Sequence, residues 1–276
     1  MTRTWFITGS SAGFGQAIAK AALADGDNVV ATARRPHALR ALAGAAPGRV
    51  LALPLDVTDR HQREAAVAAA VDRFGAIDVL VNNAGLASVG AVEELDEAAL
   101  RQLMDVMFFA PVNLVQAVLP GMRERQSGSI VQISSMGGQV SMPGFGAYCA
   151  AKFALEGLSD ALAAEVAPHG IHVLIVEPGA FATSFGAARA QQSPDSGDDN
   201  ETVGPQRRAV ADMDGSQQGD PAKAAAAILE ALARPEPPHR LALGADAVEH
   251  IGVALDARRA ELDEWAPLSR ATARNT

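Results

Sequence analysis

The chain has 276 residues, of which 49% are hydrophobic and 20% charged, a balance that suits one large α/β domain and excludes general disorder. Its formal net charge of −9 argues against nucleic acid or an anionic membrane surface as the main partner. Cys149 is the only cysteine, so no internal disulfide can form and a reducing, cytoplasmic setting is expected.

Met1-Thr2-Arg3 runs straight into Trp5-Phe6-Ile7, and no apolar run approaches the roughly 20 residues of a spanning helix, so neither a leader nor a membrane anchor is expected. A short strand is predicted over 4–7, then a turn, Thr8-Gly9-Ser10-Ser11-Ala12-Gly13-Phe14-Gly15. A helix over 16–24 and a strand over 28–33 follow. Gly9, Gly13 and Gly15, with Ser11, Ala12 and Phe14 between them, let backbone amides approach a pyrophosphate at the helix N-terminus, where the dipole favours negative charge. The order strand, glycine turn, helix distinguishes this from a plain tight turn. Next comes Arg34-Arg35, where an NAD-preferring fold places a carboxylate on the ribose 2′-hydroxyl. Two guanidinium groups suit a 2′-phosphate, so NADP(H) is favoured over NAD(H); the alternative is a solvated basic loop.

A short helix is predicted over 38–46, a strand over 49–55 ending in Asp56-Val57, and a helix over 59–74. A strand over 77–81 runs into Asn82-Asn83-Ala84-Gly85. Helical pattern fills 95–125, with Pro111 and Pro120 as bends or ends. A strand over 129–133 ends in Ser134-Ser135, a helix over 148–167 follows, and a strand over 171–176 ends in Glu177-Pro178-Gly179. Fully apolar strands alternating with helices predict a single-domain, Rossmann-type α/β fold, a doubly wound parallel sheet with helices on both faces. Ligands of such sheets bind beyond the strand carboxyl ends, where Gly9, Arg34, Asp56, Asn83, Ser135 and Pro178 all fall.

Residues 186–219 are rich in Gly, Ser, Asp, Asn and Gln without sustained period, and read as a substrate lid or a floppy insertion. Asp220-Pro221 opens a helix to Leu232, 240–243 is a last strand, and a C-terminal helix covers 246–265. The expected organisation is one domain over 1–276, with a cofactor-binding and catalytic core at 1–185, a lid at 186–219 and a helical extension at 220–276.

Tyr148 and Lys152 stand four apart on a predicted helix, so hydroxyl and ammonium face one spot. A fixed positive charge is expected to lower the phenol pKa from its usual ~10 and suit it to general acid/base work. The pair uses scarce residues: Tyr148 is the only tyrosine, and Lys20 and Lys223 are the only other lysines.

Taken together, Thr8-Gly9-x3-Gly13-x-Gly15, Asn82-Asn83-Ala84-Gly85, Ser135 thirteen residues before Tyr148-x3-Lys152, and Pro178-Gly179-x3-Thr183 resemble the short-chain dehydrogenase/reductase family over about residues 4–185. The tail is more loosely similar to the 17β-hydroxysteroid or retinol dehydrogenase-like branch. The resemblance implies that Tyr148 donates and accepts the proton, Ser135 binds the substrate carbonyl, and Lys152 holds the nicotinamide ribose. It further implies that Asp56 and Val57 flank the adenine, that Asn83, with Ala84 and Gly85, lies at the adenosine-side ribose, and that Pro178, Gly179, Phe181 and Thr183 adjoin the nicotinamide. The usual dimers and tetramers of the family suggest a homodimer or homotetramer through the Ala-rich helices. One position departs: Met107 stands where the family usually carries an asparagine that feeds the proton relay, and a thioether cannot donate.

The remaining features have plainer readings. His169-x-x-His172 lacks further ligands, so no metal is expected, and Cys149 is a small buried hydrophobe. Phe108-Phe109 reads as core or subunit contact. Phe181, Phe185 and Trp265 are candidates for an apolar pocket wall, and Arg189, Arg207 and Arg208 keep acidic substrates open. The expected function is NADP(H)-dependent hydride transfer to or from an apolar ketone or secondary alcohol, polyketide- or steroid-like. The alternatives are a cofactor-binding regulator and an isomerase or dehydratase on the same fold.

Overall fold

Trp5, Phe6 and Ile7 are wholly buried because β1 (Thr4–Ile7) lies inside a sheet covered on both faces. The computed structural model describes residues 2–183, 190–192, 201–211 and 217–274. Its main sheet also holds β2 (Asn28–Ala33), β3 (Val50–Pro54), β4 (Val79–Asn82), β6 (Gly128–Ile133), β7 (Ile171–Pro178) and β9 (Arg240–Leu243). The strand order is β3-β2-β1-β4-β6-β7-β9, every pairing parallel. Strand order reverses between β1 and β4, the switch point where such sheets open a ligand crevice.

One face carries the short α2 (Arg40–Ala45), whose Leu42 joins its core, and α1 (Gly13–Ala24), whose Ile18, Ala19 and Ala22 pack with Ala225, Ile228 and Leu229 of α8 (Pro221–Leu232). The other carries α3 (Arg60–Phe74), α5 (Ala110–Arg125) and α6 (Gly146–Val166) over Phe6, Val30, Leu80 and Ile130. The side chains of Asp59 and Asp220 accept from backbone amides in the first turns of α3 and α8 and start those helices.

The helix expected over 95–125 is α4 (Glu97–Met104), a π-helical turn Asp105–Phe109, and α5 in continuous succession. Pro111 sits in the first turn of α5, where a missing N–H costs least, and Pro120 lies inside the helix without ending it. Contrary to the sequence expectation, the stretch Glu97–Arg125 is long and apolar enough to cross a bilayer by length and composition. Its inward face, including Leu114, Val118 and Met122, is core packing.

Two elements were missed within the expected loop. β8 (Ala190–Gln192) pairs in parallel with the short β5 (Ala87–Val89), and α7 (Gly204–Ala211) lies beyond it. The polar composition hid both, because tertiary pairing rather than periodicity holds them. Val203 and Val210 are buried, and Arg207 forms an ion pair with Glu94, both side chains largely buried. The C-terminal helix α9 (Ala245–Arg270) runs longer than expected, and Trp265 is 54% exposed on it and does not line the site cavity. Phe185 and Arg189 lie outside the described residues. Cys149 is buried, its thiol near the Val140 carbonyl at 3.6 Å.

Candidate active site

The glycine turn is held by the strand beside it. The Thr8 hydroxyl accepts from the amides of Asn83 (2.8 Å) and Ala84 (3.0 Å), and Asn83 Nδ2 donates to the carbonyls of Thr8 and Gly9. The amide nitrogen of Asn83, expected at a ribose, is therefore spent on bracing the turn. Gly9 and Gly13 have φ of +69° and +56°, and Ala12 at the N-cap of α1 offers no side-chain cap, leaving the first amides of the helix open. That uncapped terminus is the observation that fits a dinucleotide, since a pyrophosphate needs unclaimed N–H groups there.

Gly15 carries the tightest constraint. A Cβ there would lie 2.5 Å from Asn83 Nδ2 and 2.6 Å from the Gly9 carbonyl oxygen. Gly15→Ala is thus expected to push the turn off its brace, costing about 1–3 kcal/mol of stability. It should also weaken nucleotide binding about 5–150-fold, since displaced donors of this kind are worth about 1–3 kcal/mol. Thermal melting and calorimetric titration with the dinucleotide check both; unchanged affinity would contradict the bracing role.

One cavity gathers Gly9, Ala12, Gly13 and Phe14 on one side, and Ser135, Tyr148 and Lys152 on another. Asn83, Ala84 and Gly85 line it, as do Pro178, Gly179, Phe181 and Thr183. Phe14 and Phe181 meet at 4.9 Å between ring centroids, so the glycine turn and the segment after β7 touch. Asp246 accepts from the Ala180 amide at 2.7 Å and pins that segment from the base of α9. Ser11, Gly15, Arg34, Arg35, Asp56 and Val57 do not line this cavity. Arg34 and Arg35 are exposed after β2, with no ion pair to a described residue. Asp56 Oδ1 accepts from the Thr58 amide and hydroxyl, and the Val57 carbonyl accepts from Arg63.

The Ser135 hydroxyl accepts from the Gly137 amide at 3.0 Å and hydrogen-bonds the Tyr148 hydroxyl. Lys152, 5% exposed, donates from Nζ to the Ile133 carbonyl at 2.8 Å and lies 5.8 Å from the Tyr148 ring centroid. The expected lowering of the phenol is overturned. Burial pushes Tyr148 up to about 12, against the pull of the Ser135 hydrogen bond. Burial also draws Lys152 down to about 8, although Glu156 holds it up. The lysine is turned to a backbone carbonyl, and burial is the largest influence on the phenol. Tyr148 is therefore a protonated phenol, poised to give a proton.

Met107 is 1% exposed within the π-helical turn, packed with Leu103, Ala147 and Ala151 beside Tyr148. π-Turns concentrate at functional sites, yet this one presents an apolar wall. The sequence reading missed Ser134, Met136, Met142, Phe145, Val210 and Gln217, which also line the cavity. The run between Ser135 and Tyr148 signalled three of them, because both ends of that loop were already assigned to the site.

A strand-carboxyl crevice with an uncapped glycine turn and a Ser-Tyr-Lys group defines the class: a nucleotide-dependent oxidoreductase fold. The short chain dehydrogenase family model matches residues 3–194, and the chain belongs to that family. It is 38% identical over 240 residues to a 3-ketodihydrosphingosine reductase of Bacteroides thetaiotaomicron, covering 86% of each chain. A short-chain dehydrogenase structure from Streptomyces avermitilis is 53% identical with a TM-score of 0.94, covering 99% of this chain and 100% of its own. A short chain dehydrogenase from Burkholderia cenocepacia, solved in complex with NADP, is 25% identical with a TM-score of 0.74, covering 95% and 97%.

Proposed function

We propose that the protein is an NADP(H)-dependent carbonyl reductase or alcohol dehydrogenase for an apolar ketone or secondary alcohol. The observation that carries the reading is that Ser135, Tyr148 and Lys152 meet the glycine turn in one cavity whose remaining wall includes Met136, Met142, Phe145 and Val210. A bound nicotinamide supplies the hydride. Ser135 and Tyr148 offer hydroxyls to the substrate oxygen, and Tyr148, held protonated by burial, delivers the proton as the carbonyl becomes an alkoxide. Lys152 presents its ammonium beside that phenol and toward the ribose. Gly9, Gly13 and the open amides of α1 hold the pyrophosphate; Asp56 and Val57 adjoin the adenine. Residues 186–219 act as the substrate lid, a role supported by Val210 and Gln217 in the cavity wall. Arg207 is tied to Glu94 and so does not select an acidic substrate.

Arg34 and Arg35 support NADP(H). Each charge-assisted bond to a 2′-phosphate is worth about 1.5–3 kcal/mol. Replacing both with Ala is expected to raise the KM for NADPH about 10²–10⁴-fold while leaving NADH turnover nearly unchanged. Initial rates with both nucleotides across apolar ketones, including a long-chain 3-keto amine, check this. Equal loss with both would sink the assignment. A homodimer or homotetramer is proposed through the helices that expose Phe109 and Phe153, in a cytoplasmic setting. Met107 supports a second reading, a cofactor-binding regulator, recognised by NADPH raising the melting temperature without turnover.

A further inference from the structure

Behind Lys152 lies a buried cluster that the chemistry above does not use. Glu156 is one helical turn beyond Lys152 on α6 and 2% exposed. Ser134 Oγ donates to it at 2.5 Å, and Gln139 Nε2 donates to its other oxygen; Glu177 of β7 is buried nearby. Arg240 of β9 reaches Glu156 and also Glu177 at 2.7 Å, while its other nitrogen holds both oxygens of Asp160 at 2.7 and 2.9 Å. His239 meets Asp160 at 2.8 Å.

Room for Glu156 is cut into the backbone. A Cβ on Gly138 would fall 1.9 Å from Glu156 Oε1 and 2.6 Å from Ser134 Oγ, so the turn after Ser135 admits the carboxylate only as glycine. One guanidinium is thus divided among three carboxylates, two of them nearly fully buried. Its charge leaves Glu156 undercompensated, and Lys152 is the buried cation on the facing turn.

We propose that Glu156 is a positioning residue for the reaction: its carboxylate keeps Lys152 charged and ties that charge, through Arg240 and Glu177, to the edge of the sheet. The same carboxylate fixes Ser134, the neighbour of Ser135. The link to catalysis rests on the role of Lys152 proposed above; the electrostatic coupling itself does not. Glu156 acts on Lys152 in the required direction, holding it up against burial.

The test follows lysine ionisation directly. Protein carrying lysine labelled with carbon-13 at Cε gives three resonances, from Lys20, Lys152 and Lys223, and Lys152→Arg assigns one of them. In Glu156→Gln the Lys152 titration midpoint is expected to fall by about one pH unit, a tenfold change in its ionisation constant. Lys20 and Lys223 stay put. Glu177→Gln, which frees Arg240 for Glu156, moves the midpoint the same way by less. The alkaline limb of ketone reduction moves with it, a change that a merely structural role does not produce. An unmoved Lys152 midpoint in folded Glu156→Gln overturns the proposal. If that variant does not fold, an unmoved midpoint in Glu177→Gln does so. A moved midpoint in a protein that reduces no ketone leaves the coupling standing and removes the reductase reading instead.

Discussion

Tyr148→Phe is expected to cut ketone reduction about 10²–10⁴-fold, the usual contribution of a positioned general acid. The loss should fall on kcat, with NADPH affinity nearly unchanged, because the variant removes one hydroxyl and keeps the ring against Met107 and Ala147. No second phenol exists to substitute, since Tyr148 is the only tyrosine. The hydroxyl is protonated across the working range, so the base form that limits the rate belongs to Lys152. Wild-type reduction should accordingly fall as pH rises through about 8, where Lys152 loses its proton. Stopped-flow rates from pH 6 to 10 check both. A variant retaining a tenth of the rate would remove Tyr148 from the chemistry.

Arg240→Ala carries the largest expected effect on stability. It leaves Glu156 and Glu177 buried, their side chains 3% and 4% exposed, without their cation. Breaking a buried charge arrangement on one side costs about 3–5 kcal/mol. The pH dependence has a definite sign. Burial already raises Glu177, and loss of the Arg240 hydrogen bond, which lowers it, raises it further. A carboxyl whose folded pKa lies above its unfolded value contributes stability at low pH and loses it as pH rises through the folded pKa. The gap between variant and wild type should therefore be widest at neutral pH and narrow toward pH ~4–5. Urea melts at pH 4.5 and 7.5 read this directly, and a gap that widens on acidification would contradict the account.

The parallel sheet was legible because fully apolar strands such as Trp5-Phe6-Ile7 and Ile130-Val131 can only be covered on both faces. The cavity residues were legible where backbone demands betray them, as at Gly9 and Gly13. Asn83 lines the cavity, but its spacing says nothing of the Thr8 and Gly9 carbonyls that its side chain binds. The direction of the Tyr148 shift was missed because helical spacing reveals a neighbouring charge but not the desolvation opposing it. Glu156 was invisible for the same reason: an acidic residue on an Ala-rich helix looks solvated until β7 and β9 close over it. β5, β8 and α7 lacked any local pattern, being held by contacts between distant segments.

The central claim is hydride transfer in this cavity between a nicotinamide and a carbonyl carbon. Reduction of an apolar ketone with NADPH deuterated at C4, followed by mass spectrometry of the alcohol, tests it most directly. Transfer from one C4 face, with a single deuterium on the carbinol carbon of one enantiomer, is the predicted result. Alcohol formed without deuterium from either face, or substrate converted with no NADPH consumed, would contradict it.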